Sequence, residues 1–158
     1  MSGIFLDAGL VDGLVDKART ASRRRCHHTL HTDLNAPAQR LLVAMEPDSY
    51  VRPHCHLDSA KAETLVVLRG RLGALIFSVE GQVLEARVLA AGGACIGYDV
   101  PPGVWHSIVA LESGTVFLEA KAGPYVPLDD GEWGGWAPQE GSPEAPVYLA
   151  SLRRQCPD

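Results

Sequence analysis

The middle of the chain alternates between short apolar segments and turn-forming residues, and this pattern is the strongest constraint on the fold. Eight segments of strand length lie between residues 41 and 121, and glycine, proline or aspartate separates most of them. Strands that recur about every 8 to 12 residues, with turn residues between them, are typical of all-β sandwiches and barrels. The predicted strands are Leu41–Glu46, Tyr50–Cys55, Glu63–Arg69, Leu72–Val79, Val83–Leu89, Cys95–Val100, Trp105–Leu111 and Val116–Lys121.

Two of these segments indicate how the strands are covered. Val83–Leu89 alternates between apolar and charged residues, as a strand does when one face meets solvent. Leu72–Phe77 is apolar on both faces, so we expect a helix or a second copy of the chain to cover its outer face. Coverage by a second copy would make the protein a homodimer.

The N-terminal segment predicts a helix. Ile4–Leu6 is interpreted as a short apolar strand or anchor that ends at Asp7. After it, apolar residues recur at helical spacing, so we expect a helix that Asp7 caps and that runs to about Ala21.

The C-terminal segment predicts a loop and a second helix. Residues 129–141 are rich in glycine, acidic residues and tryptophan, and are expected to lie over the barrel. Ser142 and Pro143 resemble a helix start, and three apolar residues of that helix would face the domain: Ala145, Leu149 and Leu152. We expect one structural domain, with an N-terminal extension (1–39, a helix plus an Arg/His-rich strand), a barrel (40–124) and a C-terminal tail (125–158).

Composition excludes several classes of protein. Of the 158 residues, 46% are hydrophobic and 21% charged, close to the globular average, and the apolar runs are too short to cross a bilayer. No basic stretch precedes the first apolar residues, so a cytoplasmic location is predicted. The net charge of −5 argues against a nucleic-acid surface. The four cysteines lack C-x-x-C spacing and are predicted to be reduced thiols.

Four side chains that can bind a metal are predicted to converge inside the barrel. His54 and His56 would point to one face of a strand and Cys55 to the other. Glu63 opens an apolar strand, where an unpaired carboxylate is unfavourable, and His106 follows a Pro-Pro-Gly turn. Three imidazoles and one carboxylate suit one divalent metal ion (Fe, Mn, Ni or Zn), with room left for water or substrate. The alternative is four unrelated surface or core residues.

These residues resemble the two sequence motifs of the cupin superfamily. The motifs are matched by His54-x-His56, Glu63 and Gly70, and by Pro101-x-Gly103-x-x-His106. Six residues separate His56 from Glu63, more than the usual motif has, so we expect the connecting loop to bulge.

Over nearly its whole length the chain resembles the WbuC-type cupin-fold metalloproteins. The matching stretches are residues 23–31, 39–42, 50–56, 67–72, 123–125 and 136–141. The resemblance implies an all-β fold, a single cupin (double-stranded β-helix, jelly-roll-like) barrel with an N-terminal helix and a C-terminal loop and helix. It also implies a link to bacterial surface-polysaccharide synthesis, and hence a sugar or nucleotide-sugar substrate. Small cupins commonly pair through their sheets, which again favours a homodimer.

The segment before the barrel carries candidate pocket residues. Arg25, His27 and His31 are predicted to reach the barrel mouth, where a guanidinium group can recognise carboxylate or phosphate through its planar fork. The histidines of this segment, His28 included, could instead bind a second metal ion or have structural or surface roles. Tyr125 is either a pocket residue or a packing residue.

Glu119 and Lys121 are, with His31, the candidate catalytic residues. They share a strand face with Phe117. On the inner face of the barrel they could orient substrate or act as acid and base, and on the outer face they would be a solvated pair. Trp133 and Trp136 could cap the barrel mouth or cover the core.

Two functions are compatible with these patterns. The first is a metal-dependent enzyme acting on a small polar molecule such as a sugar derivative, as an isomerase, epimerase or oxygenase. The second is a metal-dependent binding or sensing module without turnover, since one fold serves both purposes. In either case the partner is a small molecule, and neither a nucleic acid nor a membrane is expected.

Overall fold

Two antiparallel sheets make up the framework of the protein. A computed structural model describes residues 3–157. Its helices are α1 (Ala8–Thr20) and α2 (Ala145–Gln155), with a short 3₁₀ helix at Asp130–Glu132. Its strands are β1 (Arg25–Thr29), β2 (Ala38–Met45), β3 (Glu63–Arg69), β4 (Arg71–Phe77), β5 (Val83–Ala90), β6 (Gly97–Val100), β7 (Trp105–Ala110) and β8 (Thr115–Ala122).

The strand order brings distant parts of the chain side by side. The larger sheet has the order β1-β2-β8-β3-β6 and the smaller one β5-β4-β7. In the larger sheet Glu63 lies opposite Lys121, and Leu65 opposite Glu119. Alternation along paired strands then directs Glu63, Glu119 and Lys121 to the same face of the sheet.

The main core lies between the two sheets. The larger sheet contributes buried residues such as Met45, Leu65 and Phe117, and the smaller sheet contributes residues such as Leu72 and Ile108. The inner faces therefore meet along one side of the barrel, and the all-β fold predicted from the strand pattern is confirmed.

Helix α1 covers the outer face of the larger sheet. Its buried residues Leu14, Val15 and Ala18 pack on β2 and β8. The side chain of Asp7 accepts a hydrogen bond from the Leu10 N–H at 2.9 Å, which confirms the predicted cap. The predicted strand at Ile4–Leu6 is wrong: this segment pairs with no strand, and 86% of Phe5 is exposed.

Helix α2 covers the outer face of the smaller sheet. Its Leu149 and Leu152 pack against Leu75, Phe77 and Val109, which explains why β4 is apolar on both faces. One of the two reasons for expecting a homodimer therefore has an explanation within a single chain.

Helix α2 begins later than the sequence predicts. It starts at Ala145 rather than at Pro143, with Glu144 instead of Ser142 as its cap residue and Pro146 in its first turn. Proline fits this position because the first N–H groups of a helix have no partner within the helix. None of the helices in residues 3–157 is long and apolar enough to cross a membrane.

The predicted strand at Tyr50–Cys55 is also wrong. Only His54 forms bridges, one to His106 and one to Trp133. Pro53 has no N–H to donate to a ladder, and the next residue, Cys55, donates its N–H to the carbonyl of Glu132 at 2.9 Å. The segment is thus held one residue at a time between β7 and the C-terminal tail.

Candidate metal centre and its cavity

Three histidines meet at one end of the space between the sheets. One ring nitrogen from each of His54, His56 and His106 lies within 4.8 Å of the other two. The ring of His54 is centred 4.5 Å from that of His106 and 5.3 Å from that of His56. The backbones of His54 and His106 are joined by two hydrogen bonds, of 3.0 and 2.9 Å, which fix the distance between the Pro53 segment and β7.

Hydrogen bonds at the rim of this group set the tautomers of two of the rings. Nδ1 of His54 lies 2.9 Å from the carbonyl of Arg52, and Nδ1 of His106 lies 2.8 Å from the carbonyl of Val104. A carbonyl only accepts, so each Nδ1 carries the proton and each Nε2 keeps a free lone pair. This is the arrangement in which protein imidazoles bind metal ions.

The second ring nitrogen of His106 points to a missing partner. Its Nε2 is buried and forms no hydrogen bond within residues 3–157. A buried polar atom without a partner is unfavourable by about 1–3 kcal/mol, and a metal ion shared with the neighbouring imidazoles would satisfy it. The three histidines therefore fit a metal ion.

Burial keeps two of these imidazoles neutral. It lowers the pKa of His54 to about 3, with a further contribution from His106, and it lowers the pKa of His106 as well. Metal binding requires the neutral form of histidine, so these rings can bind without first losing a proton near neutral pH.

Glu63 lies beside the three histidines and contacts one of them. Its Oε2 is 3.1 Å from Nε2 of His56 and 3.6 Å from Nζ of Lys121. Burial raises the pKa of this carboxyl, but the hydrogen bond to His56 and the charge of Lys121 outweigh it and lower the pKa to about 2. Glu63 is therefore a carboxylate, as a ligand must be, although its oxygens fall outside the cluster formed by the three rings.

A large cavity extends from this group along the inner face of the larger sheet. Its volume is about 700 Å³, and His54, His56, Glu63 and His106 line one end. Apolar side chains of β2 and β8, such as Met45, line the wall. Cavities of this size hold small-molecule ligands.

Glu119 and Lys121 project into the cavity. They therefore lie on the inner face of the barrel, one of the two faces that the sequence left open. Nζ of Lys121 lies 3.1 Å from Oε1 of Glu119, so the ammonium group sits between two buried carboxylates, those of Glu119 and Glu63. Burial lowers the pKa of Lys121, but the two carboxylates outweigh it and raise the pKa. Burial and the charge of Glu63 raise the pKa of Glu119.

The predicted pocket residues divide into those that line the cavity and one that does not. Arg25, His27 and Tyr125 line it. His31 does not, and its prediction as a pocket and catalytic residue needs correction. It lies beyond the end of β1, and its Nδ1 is 3.0 Å from both the backbone nitrogen and the backbone oxygen of Arg40. Its side chain therefore packs on the backbone of β2.

The C-terminal tail also supplies the cavity residues Trp133, for which the sequence left open the barrel mouth or the core, and Glu140, which the sequence did not predict. The ring of Trp133 lies beside that of His54, with centres 5.7 Å apart and planes tilted by 54°, and the guanidinium of Arg52 lies over it. Glu140 forms ion pairs with Arg23 at 2.6 Å and with Arg25 at 3.0 Å. A glutamate in a Gly-rich loop facing an Arg-rich segment is a charge-pairing signal that could have identified this contact.

Residues 125–128 cross the mouth of the cavity. They line it on one side and, on the other, a smaller cavity of about 200 Å³ that also contacts His56 and Lys121. Trp136 packs instead on Phe77 and Trp105, where it covers the core. Cys55 is fully buried and lines neither of these two cavities.

Comparisons with known proteins give a family and a fold. Residues 6–89 match the family described as domain of unknown function (DUF6016). No curated protein is significantly similar in sequence. KdgF from Halomonas sp. is similar in structure (TM-score 0.51, 16% identity, 65% of this chain and 82% of that chain covered). So is SPY1581, a protein of unknown function from Streptococcus pyogenes (TM-score 0.50, 15% identity, 67% and 80%). A cupin-2 domain containing protein from Shewanella frigidimarina also matches (TM-score 0.46, 23% identity, 61% and 79%).

At these identities the likeness concerns the fold. It agrees with two facing antiparallel sheets, an N-terminal helix and a C-terminal helix, and the predicted jelly-roll-like cupin fold is confirmed.

Proposed function

The chain belongs to the DUF6016 family of domains of unknown function, and we propose that it is a metal-dependent enzyme acting on a small polar molecule. One observation carries the proposal. Three imidazoles with inward-facing nitrogens lie next to a buried Lys–Glu pair at the end of a cavity of about 700 Å³.

The histidine group supplies the metal site in this proposal. His54, His56 and His106 would hold the ion through ring nitrogens, and Glu63 would add a carboxylate oxygen. Mixed imidazole and carboxylate ligands suit Fe, Mn, Ni or Zn. Such an ion, when bound, polarises a carbonyl or hydroxyl oxygen of the substrate.

Glu119 and Lys121 would carry out proton transfer. Burial and the charge of Glu63 raise the pKa of Glu119, which brings this carboxylate closer to the basicity that a general base needs at neutral pH. Lys121 stays charged because two carboxylates flank it, and its ammonium would stabilise negative charge on a substrate oxygen. Removal and return of a proton beside a polarised carbonyl is the chemistry of isomerases and epimerases. The buried pair favours this reaction class over oxygenation.

The substrate is proposed to be a sugar derivative. Trp133 presents an indole ring at the cavity beside His54, and aromatic side chains combined with a few polar groups are typical of small-molecule sites. The WbuC-type resemblance extends this to a sugar or nucleotide-sugar used in the cytoplasm for bacterial surface-polysaccharide synthesis. A homodimer is a separate proposal, which light scattering of the purified protein tests.

The metal site is tested by metal analysis of His106→Ala. Protein purified without added metal should contain about one ion per chain, and the variant should lose it. The variant should still fold, because β7 is anchored by buried Val109 and Ala110. His27→Ala, which also changes a cavity-lining histidine, is the matched control and should retain the ion. Full occupancy in His106→Ala would contradict the ligand assignment.

The reaction class is tested by hydrogen exchange into substrate. Metal-loaded protein is incubated in D₂O with a panel of hexoses, sugar acids and nucleotide sugars, and deuterium incorporation is measured by mass spectrometry. Glu119→Gln should reduce incorporation roughly 10²- to 10⁴-fold and keep the metal, whereas Glu85→Gln on the exposed strand β5 should not change it. Oxygen consumption without exchange would instead indicate an oxygenase.

A binding or sensing module is the second candidate. The observation that favours it is the completeness of the ion-pair network, since Lys121 already has two carboxylate partners, as a structural lysine would. A ligand that binds the metal-loaded protein but never exchanges hydrogen or consumes oxygen, with each of the four metals tested, would decide for this module.

A further inference from the structure

The charges that line the cavity are unequal. Four side chains are cationic, Arg23, Arg25, Arg52 and Lys121, and three are carboxylates, Glu63, Glu119 and Glu140. With neutral histidines this leaves a formal excess of one positive charge, in a chain whose net charge is −5. A divalent ion on the histidines would increase the excess.

One of the four cations differs from the others in its partners. Arg23 and Arg25 share the carboxylate of Glu140, and Lys121 lies between those of Glu63 and Glu119. Arg52 has no carboxylate within 4.0 Å among the residues that the structure describes. Each of the other three cations therefore has at least one carboxylate partner, and Arg52 has none.

The guanidinium of Arg52 is held in place without being neutralised. One terminal nitrogen donates to the carbonyl of Gly134 at 3.0 Å, and the central carbon lies 5.8 Å from the ring centre of Trp133. The Nε atom is buried and has no hydrogen-bond partner within residues 3–157. A partly buried cation without a counter-charge is unfavourable, and an anion in the cavity would offset that cost.

We propose that Arg52 binds an anionic group of the substrate, a carboxylate or a phosphate. This inference rests on the function proposed above and specifies the class of substrate. The same Trp133 ring whose centre is 5.8 Å from the Arg52 carbon is 5.7 Å from the ring centre of His54. The anion site and His54 therefore lie beside the same indole ring.

The substrate is thus an acid or a phosphate ester with an oxygen that reaches the histidines. Arginine recognises both kinds of anion through paired N–H donors, so the shared chemistry is an oxyanion with at least two accessible oxygens. The cavity of about 700 Å³, which Arg52 and the histidines both line, is large enough for a sugar ring.

Calorimetric titration of the metal-loaded protein tests this inference. The probes are glucose, glucuronate, glucose 6-phosphate and inorganic phosphate. Wild type should bind at least one anionic sugar roughly tenfold or more tightly than glucose, and Arg52→Gln should weaken that binding roughly 10- to 100-fold. Arg52→Lys should recover part of the affinity. Arg87→Gln, which removes an exposed arginine of β5 paired with Glu85, should leave it unchanged. Stronger binding of glucuronate or of glucose 6-phosphate identifies the anion as carboxylate or phosphate.

Metal content separates this inference from the proposed function. Arg52→Gln should keep its metal, because the backbone carbonyl that orients His54 is unchanged. If wild type holds metal but binds glucose as tightly as the anions, binds none of the anions, or binds them equally well after Arg52→Gln, the Arg52 assignment is wrong. If wild type holds no metal and Arg52 still governs anion binding, the anion site stands and the proposed enzyme fails.

Discussion

Replacement of Lys121 by methionine tests whether the ion-pair network in the cavity is balanced as the structure indicates. Lys121 is the cation between Glu63 and Glu119, and these side chains are 21%, 7% and 15% exposed. Methionine keeps the length of the side chain and removes its charge. Two buried carboxylates would then face each other without a cation.

The expected loss of stability follows from that imbalance. Removal of one partner from a buried ion pair costs about 3–5 kcal/mol. We expect the free energy of unfolding to fall by about 3 kcal/mol at pH 7. This is the lower end of that range, because Lys121 is partly exposed and because Glu119 can take up a proton. The pKa of Glu119 is already raised by burial and by Glu63, and it rises further when Lys121 is lost. In the folded variant Glu119 thus binds a proton more readily than in the unfolded chain, so the stability of the variant falls as pH rises.

The assay is urea unfolding of chelator-treated protein at pH 5 and at pH 7. The difference between wild type and Lys121→Met should be smaller at pH 5, because the raised pKa of Glu119 leaves more of this carboxyl protonated there than at pH 7. The double variant Glu119→Gln/Lys121→Met should recover most of the loss. Arg87→Met, which breaks the exposed pair with Glu85, should change the stability far less than Lys121→Met does. Equal stability of Lys121→Met and wild type at pH 7, or a double variant as unstable as the single one, would refute the reasoning.

Three further predictions concern the tail and the turns. Leu149→Ala should lower the free energy of unfolding by about 2–5 kcal/mol, because it leaves a cavity under α2; chemical denaturation measures this, and a loss below 1 kcal/mol would contradict the packing. Glu140→Gln should lower the free energy of unfolding by about 1 kcal/mol at low salt. The arginine partners of Glu140 lower its pKa, so the stability that this carboxylate contributes is lost as pH falls through that pKa. The difference between wild type and the variant should therefore vanish in acid. Gly81→Ala should lower the melting temperature, since Gly81 has φ of +90° and an added Cβ would overlap the ring of Trp136; an unchanged melting temperature would show that this turn can rearrange.

The strands were predictable because local pattern and tertiary position agree for most of them. Glu63–Arg69 has the bounds predicted from its apolar run and from the glycine that follows it. The prediction for Tyr50–Cys55 failed because a strand needs a partner along its length, and this segment is shared between β7 and the tail. Ile4–Leu6 failed for a related reason: it joins no sheet, and its apolar residues remain largely exposed.

Site residues that follow spacing rules could be predicted from the sequence. Those that depend on contacts between the C-terminal tail and the barrel could not. His54, His56, Glu63 and His106 share motifs within strands and tight turns. The contact between Arg52 and Gly134 joins residues 82 positions apart, and no periodicity in the sequence indicates it. His31 was expected to reach the barrel mouth from an N-terminal strand, but β1 ends at Thr29 and His31 lies beyond it.

The barrel and its extensions contribute different parts of the candidate site. The residues that fit a metal come from the segment between β2 and β3 and from strands β3 and β7. Around the rest of the cavity, β1 provides Arg25, and the tail provides Trp133 and Glu140. Proteins with the same barrel can therefore share a metal site and differ in substrate when their extensions differ. In this chain Arg52 belongs to the barrel segment, but its contacts, the carbonyl of Gly134 and the ring of Trp133, come from the tail. Exchange of the tail for that of another protein of this fold should change ligand preference while the metal remains bound.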